Sequence, residues 1–281
     1  MKNHCPLFKF KTMKLTKKLN KVFSKNKGPK KELTVEQKIS RRNFISFGSL
    51  LVLGGAAYGG WRWLYTSPNE VPGITGDAHK PLRAVLNANE KVVRQLYSNK
   101  NLVKTYPKEM AAKVVRHNSD IGSEGLIDVD NWKLSVKKQS GEVLNIGIDE
   151  IRKLPKTEII YDFKCVEGWD QISHWSGVKF SDFIAHFKLD AETRFEYVGM
   201  ETPDKEYYVG VDMPSAMHPQ TLLAYEVNEK PLPPKHGAPL RLIIPVKYGI
   251  KNLKRIGSIT FSNNRPRDYW AEQGYDYYAG L

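Results

Sequence analysis

From Asn43 to Trp61 the chain contains no charged residue, and this run separates two regions of very different charge. Residues 1–42 hold 14 of the 44 lysines and arginines against two acids, Glu32 and Glu36, which leaves 30 basic and 28 acidic residues for 43–281. The chain of 281 residues is therefore a strongly basic tail, an apolar run and a near-neutral body, although its formal net charge is +14. A basic body would point to nucleic acid, whereas a basic tail on a near-neutral body excludes that partner class.

The apolar run opens with Ser40-Arg41-Arg42-Asn43-Phe44-Ile45. A charged segment followed by an apolar one is the layout of an export signal, and Arg-Arg before x-Phe-Ile resembles the twin-arginine form. Phe44 to Gly60 is near the lower limit for crossing a bilayer, which takes about 17–25 residues. Trp61, Trp63 and Tyr65 then read as interfacial anchors, and the preceding lysines fit retention on the cytoplasmic side. The reading is an uncleaved anchor, with residues 1–43 a basic cytoplasmic tail, 44–65 the apolar signal or anchor segment, and the body on the periplasmic side. Ala57-Tyr58-Gly59 offers a small-x-small cleavage site, so a released form is the second expectation.

Residues 66–80, rich in Pro and Gly, read as a linker, which leaves 81–281 as the folded domain. Leu82, Val85, Leu86, Val93 and Leu96 recur at helical spacing from Pro81 to Ser98. Beyond them strands dominate. Residues 131–147 read as a hairpin around Gln139-Ser140-Gly141, and 157–165, 194–200, 222–228, 240–246 and 255–262 as further strands. Residues 179–188 read as a short amphipathic helix. About 200 residues fit one domain, and strands mixed with few helices, without βαβ alternation, give an α+β, mixed β-sheet-rich class.

Three stretches have side chains suited to chemistry. In "FKCVEGWD" (163–170), Cys165 follows a strand, and its one possible partner, Cys5, is placed across the membrane or removed. A solitary exported thiol is a buried small hydrophobe, a reactive group, one end of an intermolecular bond or a metal ligand. In 235–257, His236 and Arg241 bracket a Gly-Ala-Pro turn, with Lys247, Lys251 and Lys254 after it. Such cations suit a phosphate, although solvated or carboxylate-paired cations are the plainer reading of the composition. Arg116, His117 and Asn118 adjoin in 114–122, as an anion site or a surface turn. Zinc-type His/Cys spacing, G-x-S-x-G, the P-loop, G-x-G-x-x-G and C-x-x-C-H are all missing from the sequence.

Taken together and in this order, these stretches resemble the molybdopterin-binding domain of the sulfite oxidase family, which includes periplasmic methionine sulfoxide reductases. The resemblance runs from about Arg116 to the C-terminus and is strongest over 217–259. It implies an enzyme, a molybdopterin-dependent oxidoreductase with a single domain of the sulfite oxidase type, transferring an oxygen atom or two electrons. It implies Cys165 as the thiolate on molybdenum, and a catalytic Arg116 near the metal. His-Gly-x-Pro-x-Arg implies that His236 and Arg241 hold the phosphate side, with Asn252, Leu253 and Lys254 as further cofactor contacts. "VVRHN" implies contacts from Val114, Val115, Arg116, His117 and Asn118, and "GMET" a contact from Thr202 or its neighbour Glu201.

Departures from the family pattern bear on substrate. No arginine follows Cys165 through Gln171. Val209 stands for the family's tyrosine, with Tyr208 adjacent, and Asp212 for its serine, an acid that would disfavour a dianion such as sulfite. The C-terminal dimerisation domain of sulfite oxidases is not expected. The sulfoxide-reductase branch is nearer in size and in "CVEGW" and "MHPQTLL", although Arg116 stands where that branch has an Asn/Tyr-rich segment. A small-molecule or sulfoxide-type substrate is therefore expected, with sulfite-type oxidation or a non-catalytic binding module as alternatives. Without a haem motif, electrons come from a partner, a cytochrome or a membrane haem subunit. The aromatic C-terminus, 269–281, reads as core packing and a covered sheet edge before a partner surface.

Overall fold

The structure, a computed structural model, describes residues 32–70, 76, 78–125 and 127–281. Most of the basic tail, with Cys5, and linker residues 71–75 and 77 lie outside the described residues. The chain divides into two compact units, Met1–Arg62 and Trp63–Leu281.

In the first unit the chain is helical from Val35, in α1 (Val35–Thr66). A reciprocal pair starts it: Gln37 N donates to Thr34 Oγ1 at 3.3 Å and Thr34 N to Gln37 Oε1 at 3.1 Å, which satisfies donors a helix start would leave bare. Arg41, Arg42 and the whole uncharged run lie on α1, and none of its residues is buried. Phe44 and Leu51 are 80% and 76% exposed. At 1.5 Å per residue the helix is roughly 48 Å long, more than the ~30 Å hydrocarbon layer. Among the described residues it is the one helix long and apolar enough to cross a membrane by length and composition.

The second unit takes in the last residues of α1 from Trp63, and its first complete helix is α2 (Lys80–Leu96), opened by Pro81 in its first turn. Two five-stranded sheets come after it. The first has the order β2 (Val143–Gly147), β1 (Lys133–Lys137), β10 (Ser258–Ser262), β5 (Tyr197–Glu201), β6 (Tyr208–Asp212). The second runs β3 (Lys156–Lys164), β4 (Asp170–Lys179), β7 (Leu222–Val227), β8 (Lys230–Pro231), with β9 (Arg241–Ile243) also paired to β7. Between these strands lie α3 (Ile148–Arg152), α4 (Phe180–His186) and α5 (Met213–Ala216), and α6 (Tyr269–Glu272) comes after β10. β1 and β10 make the one parallel pairing among the described residues.

Alternation along the second sheet decides where the site lies. Leu223, Tyr225 and Leu242 join the main core with Phe180, Phe183 and the inner face of the first sheet. Leu222, Ala224, Val227 and Ile243 point the other way, into a smaller core with Ile159, Tyr161 and Trp175. Successive side chains of a strand face opposite sides, so Phe163 and Arg241 share that second face. Register agrees, since Ile159 pairs with Trp175, Tyr161 with Ser173, Phe163 with Gln171 and Ala224 with Arg241.

The expected helices and hairpin are present, with ends shifted by a few residues. Strand 240–246 shrinks to three residues, and strand 194–200 begins only at Tyr197, because Arg194 ends a 3₁₀ turn (Asp190–Arg194). β4 and β6 are additional to the expected strands. β4 contains Ser173, His174 and Ser176 fully inside, so it lacks the polar–apolar alternation that marks a half-buried strand.

Two acids organise the C-terminal part. Asp212 caps α5, accepting Ser215 N at 3.1 Å, and pairs with buried Lys247 at 2.8 Å. Asp268 caps α6, accepting Ala271 N at 3.0 Å, and pairs with buried Lys251 at 2.5 Å. Burial works to raise the Asp212 carboxyl pKa, yet Lys247 and the Ser215 donors outweigh it and hold it below the usual range. Lys247 is pushed down to about 8 by its own burial. The ring of Tyr277 covers Lys251 at 4.4 Å and its hydroxyl donates to Pro266 O, so this part of the aromatic C-terminus is core.

Candidate active site

The second face of the β3–β4–β7–β9 sheet opens into a cleft of about 920 Å³, measured out to its mouth. β3 and the turn after it contribute Phe163, Cys165, Glu167 and Trp169, and β4 contributes Gln171, Ser173 and Trp175. Val115, Arg116 and Asn118 form one border, Tyr207, Trp270 and Tyr275 another, and His236, Arg241, Asn252 and Lys254 line it as well.

Cys165 continues the 159–161–163 alternation one step past the strand. A tight turn then closes on it: Cys165 N donates to Trp169 O at 2.9 Å and Gly168 N to Cys165 O at 3.1 Å. Gly168 has φ +85°, the left-handed region that favours glycine. Burial pushes the Cys165 thiol pKa up, against the lowering effect of the Glu167 and Val166 amides and of Arg116. Left alone, this thiol stays protonated at neutral pH.

The cationic residues surround a different part of the cleft. Arg241 is buried, donating through Nη1 to His236 O at 3.1 Å and through Nη2 to Asn252 O at 3.3 Å, and lies over Trp175 at 4.4 Å. Its Nε is buried without a partner. Lys254 Nζ donates to the carbonyls of Asn118 at 2.8 Å and Ser119 at 2.5 Å. Among the described residues neither cation makes a carboxylate ion pair, in a setting where buried charge ordinarily requires one. Burial pushes Arg241 down to about 10, and burial with Arg241's charge pushes Lys254 down to about 8. Gly237 (φ +96°) permits the turn, since a Cβ there would lie 2.7 Å from both Arg255 N and Lys254 Cβ. A cluster of cations with a spare donor and no anion fits a phosphate.

His236 is pushed down to about 4 by burial first, then by Arg241, His117, Lys254 and Lys235. His117 sits against it, rings 5.9 Å apart, and is lowered by burial and Lys254. The unfolded chain binds protons at about pH 6.5, where buried His236 does not, so stability rises with pH across the window from 4 to 6.5. Stability of the cofactor-free protein is therefore expected to fall as pH drops from 6.5 towards 4. A His236→Gln variant should flatten that dependence, as read from urea midpoints at pH 4.5, 5.5 and 6.5.

The expected residues divide by position. Val115, Arg116, Asn118, Cys165, His236, Arg241, Asn252 and Lys254 face the cleft. Asn252 is committed internally: Ile244 N donates to its Oδ1 at 2.8 Å, and its Nδ2 donates to Tyr248 O. Val114 is 78% exposed at a bend and does not line this cleft, and His117 packs edge-on against His236 without lining it. Thr202 is buried, bonded to Asp204, with its hydroxyl accepting from Tyr207 N at 3.1 Å. Leu253 is in the main core.

The carboxylate-paired reading holds for Lys247 and Lys251, which are buried in ion pairs with Asp212 and Asp268 and are not cleft cations. One expectation is corrected. Asp212 does not face the cleft and cannot repel a substrate anion there. Tyr208 also points elsewhere, bonding Glu272 and Arg267, while its neighbour Tyr207 lines the cleft and donates to Ile250 O at 2.6 Å. The aromatic lining of Phe163, Trp169, Trp175, Tyr207, Trp270 and Tyr275 is not among the residues that sequence reasoning singles out. Phe163 and Trp169 stack at 6.0 Å, and Arg116 lies over Trp169 at 4.4 Å. Glu167, held below its usual range by donors from Trp169 and Asn118, fixes that wall.

A profile of the oxidoreductase molybdopterin-binding domain matches residues 121–270. Over 211 residues, 74% of this chain, the sequence is 33% identical to the putative protein-methionine-sulfoxide reductase subunit YedZ1 of Azospira oryzae, covering 79% of it. Over 171 residues, 55% of this chain, it is 33% identical to the protein-methionine-sulfoxide reductase catalytic subunit MsrP of Campylobacter jejuni, of which it spans 58%. The sulfane dehydrogenase SoxCD from Paracoccus pantotrophus aligns with a TM-score of 0.45 at 16% identity, over 50% of this chain and 40% of that one.

Proposed function

This chain belongs to the molybdopterin-binding oxidoreductase family, a molybdenum-cofactor-dependent enzyme with an α+β domain, and from that premise we propose that it reduces sulfoxides of the methionine sulfoxide type. The observation that supports the site is the convergence of Arg241, His236 and Lys254, without a carboxylate, in the same cleft as Cys165. Arg241 and Lys254, with His236, hold the phosphate end of the cofactor. Val114, Val115, Arg116, His117, Asn118, Thr202, Asn252 and Leu253 complete its surroundings, Thr202 and Leu253 by supporting the wall from behind.

When bound, the cofactor supplies two-electron redox chemistry at its metal. Cys165 is the protein ligand to molybdenum, a soft donor suited to that centre, and it fixes and tunes the metal without attacking substrate. Arg116, exposed and stacked on Trp169, donates hydrogen bonds to the sulfoxide oxygen. The aromatic walls pack its alkyl groups. Sulfoxide reduction takes two electrons and two protons to give thioether and water. The electrons come from a redox partner, a cytochrome or a membrane haem subunit. The names of the two relatives support this substrate class.

The twin-arginine-like pair and α1 support export to the periplasmic side, with α1 kept as a membrane anchor between a cytoplasmic basic tail and the domain formed by 81–281, joined through the linker 66–80.

A second reading, sulfite-type oxidation, is favoured by Arg116, an exposed cation with no carboxylate ion pair among the described residues. Kinetics on protein matured in a host that makes the cofactor separate the two. Turnover of methionine sulfoxide with a reduced viologen dye is expected, with kcat/KM lowered about 10- to 100-fold in Arg116→Gln, the scale of a lost charged hydrogen bond. Sulfite turnover with an oxidised cytochrome, and none with sulfoxide, would replace the first reading by the second.

A further inference from the structure

Helix α2 is turned inside out relative to an ordinary surface helix. Its buried residues are Arg83 and Glu90. Arg83 donates to Gly274 O and Tyr275 O, both at 3.0 Å, and Glu90 pairs with Arg265. Arg94 continues the same stripe, lying 3.5 Å from Glu196 and over the ring of Tyr197. The apolar residues face outward: Leu82, Val85, Val92, Val93 and Leu96 are between 40% and 73% exposed. At 100° per residue these five fall on one side of the helix, opposite the stripe that meets the domain. A soluble domain does not gain by this arrangement, since a contiguous exposed apolar face marks a binding surface.

The segment preceding α2 indicates the occupant of that face. The start of α2 is tied to the end of α1. His79 Nδ1 lies 2.7 Å from Ser67 O, Asn69 and His79 form an antiparallel bridge, and Lys80 N donates to Pro68 O at 3.0 Å. The ring of Tyr65 meets that of His79 edge-on at 6.2 Å. Tyr65 and Trp63 are aromatic residues of the kind that settle at a membrane–water boundary. We propose that α2 lies on the lipid surface at the outer end of α1, its Leu82–Leu96 face in the headgroup–acyl boundary, so that the catalytic domain is seated on the bilayer through a second contact. This rests on α1 being an uncleaved membrane anchor. The helix that meets lipid on one side then holds, on the other, the 265–275 segment whose Trp270 and Tyr275 wall the cleft. Amphipathic helices of this kind bind in proportion to the apolar area they bury.

The test uses the full chain, with Cys5→Ser, reconstituted in phosphatidylcholine–phosphatidylglycerol vesicles. A nitroxide is placed at Val92→Cys or, as reference on the opposite side, at Lys91→Cys; the Cys5→Ser chain alone controls for label on Cys165. The Val92 label should be roughly fivefold less accessible to an aqueous nickel chelate than the Lys91 label and more accessible to oxygen. Adding Val85→Asp and Leu96→Asp should abolish that difference while thermal unfolding and molybdenum content stay unchanged. Equal accessibility of the two labels overturns the proposal. Protection that rises with the protein-to-lipid ratio, which would mean a second copy, or that appears only with another membrane protein added, overturns it as well. Retention of the chain through an alkaline carbonate wash reports on the anchor alone, so failure of that premise is distinguishable from failure of the seat.

Discussion

Replacing Cys165 by serine is expected to abolish turnover and leave the domain folded. The side chain is small and buried, and the turn around it is closed by backbone hydrogen bonds between Cys165, Gly168 and Trp169 that serine leaves intact. Stability should change by no more than about 1 kcal/mol, as for a near-isosteric change without a cavity. Activity should fall more than about 100-fold, since loss of an outer-shell partner to a metal ligand already costs 10- to 100-fold. Phosphate-side binding through Arg241 and Lys254 should persist, so the variant should still carry pterin when the released cofactor is oxidised and read by fluorescence. Surviving activity would show that Cys165 is not the ligand.

Arg241→Met should have the opposite profile, a folded protein with no cofactor. The guanidinium is fully enclosed, with a spare Nε and two carbonyl acceptors but no anion. Removing it loses two hydrogen bonds of ~1 kcal/mol each and also a buried, unpaired cation, whose desolvation offsets them. The cofactor-free protein should therefore unfold within about 1 kcal/mol of its parent. Molybdenum and pterin should both be absent from the purified variant, and the stabilisation that bound cofactor gives the parent should vanish. Retention of stoichiometric molybdenum would move the phosphate site elsewhere.

The order of the site along the chain is legible in the sequence because it is local. Cys165 ends an apolar strand, and His236, Arg241 and Lys254 lie within one turn–strand–turn. Depth is not legible. Lys247, Lys251 and Lys254 look alike in sequence, and their partners, Asp212, Asp268 and two loop carbonyls, are fixed by tertiary packing. For the same reason Asp212 reads as facing substrate when it caps α5 and neutralises a buried lysine. The aromatic walls come from three separate stretches, 163–175, Tyr207 and 270–275, with Trp175 on a strand whose buried serines and histidine hide its period. α2 shows a further limit: its periodicity is plain, yet which stripe faces the domain depends on Glu196, about one hundred residues away, and on Arg265 and the Gly274–Tyr275 carbonyls, 175 to 192 residues away.

The first sheet has its last-made strand at its centre. β10 joins the β2–β1 hairpin to the β5–β6 hairpin, with parallel pairing on one side and antiparallel on the other. Until Ser262 has left the ribosome, the hairpins have no common partner and both β1 and β5 present a bare edge. Such edges recruit strands from other molecules, and pairing across more than 120 residues is slow. Synthesis must pass Ser262 before the first sheet can close, long after α1 has emerged. A chain interrupted before residue 258 would leave the β2–β1 and β5–β6 hairpins as two aggregation-prone ribbons.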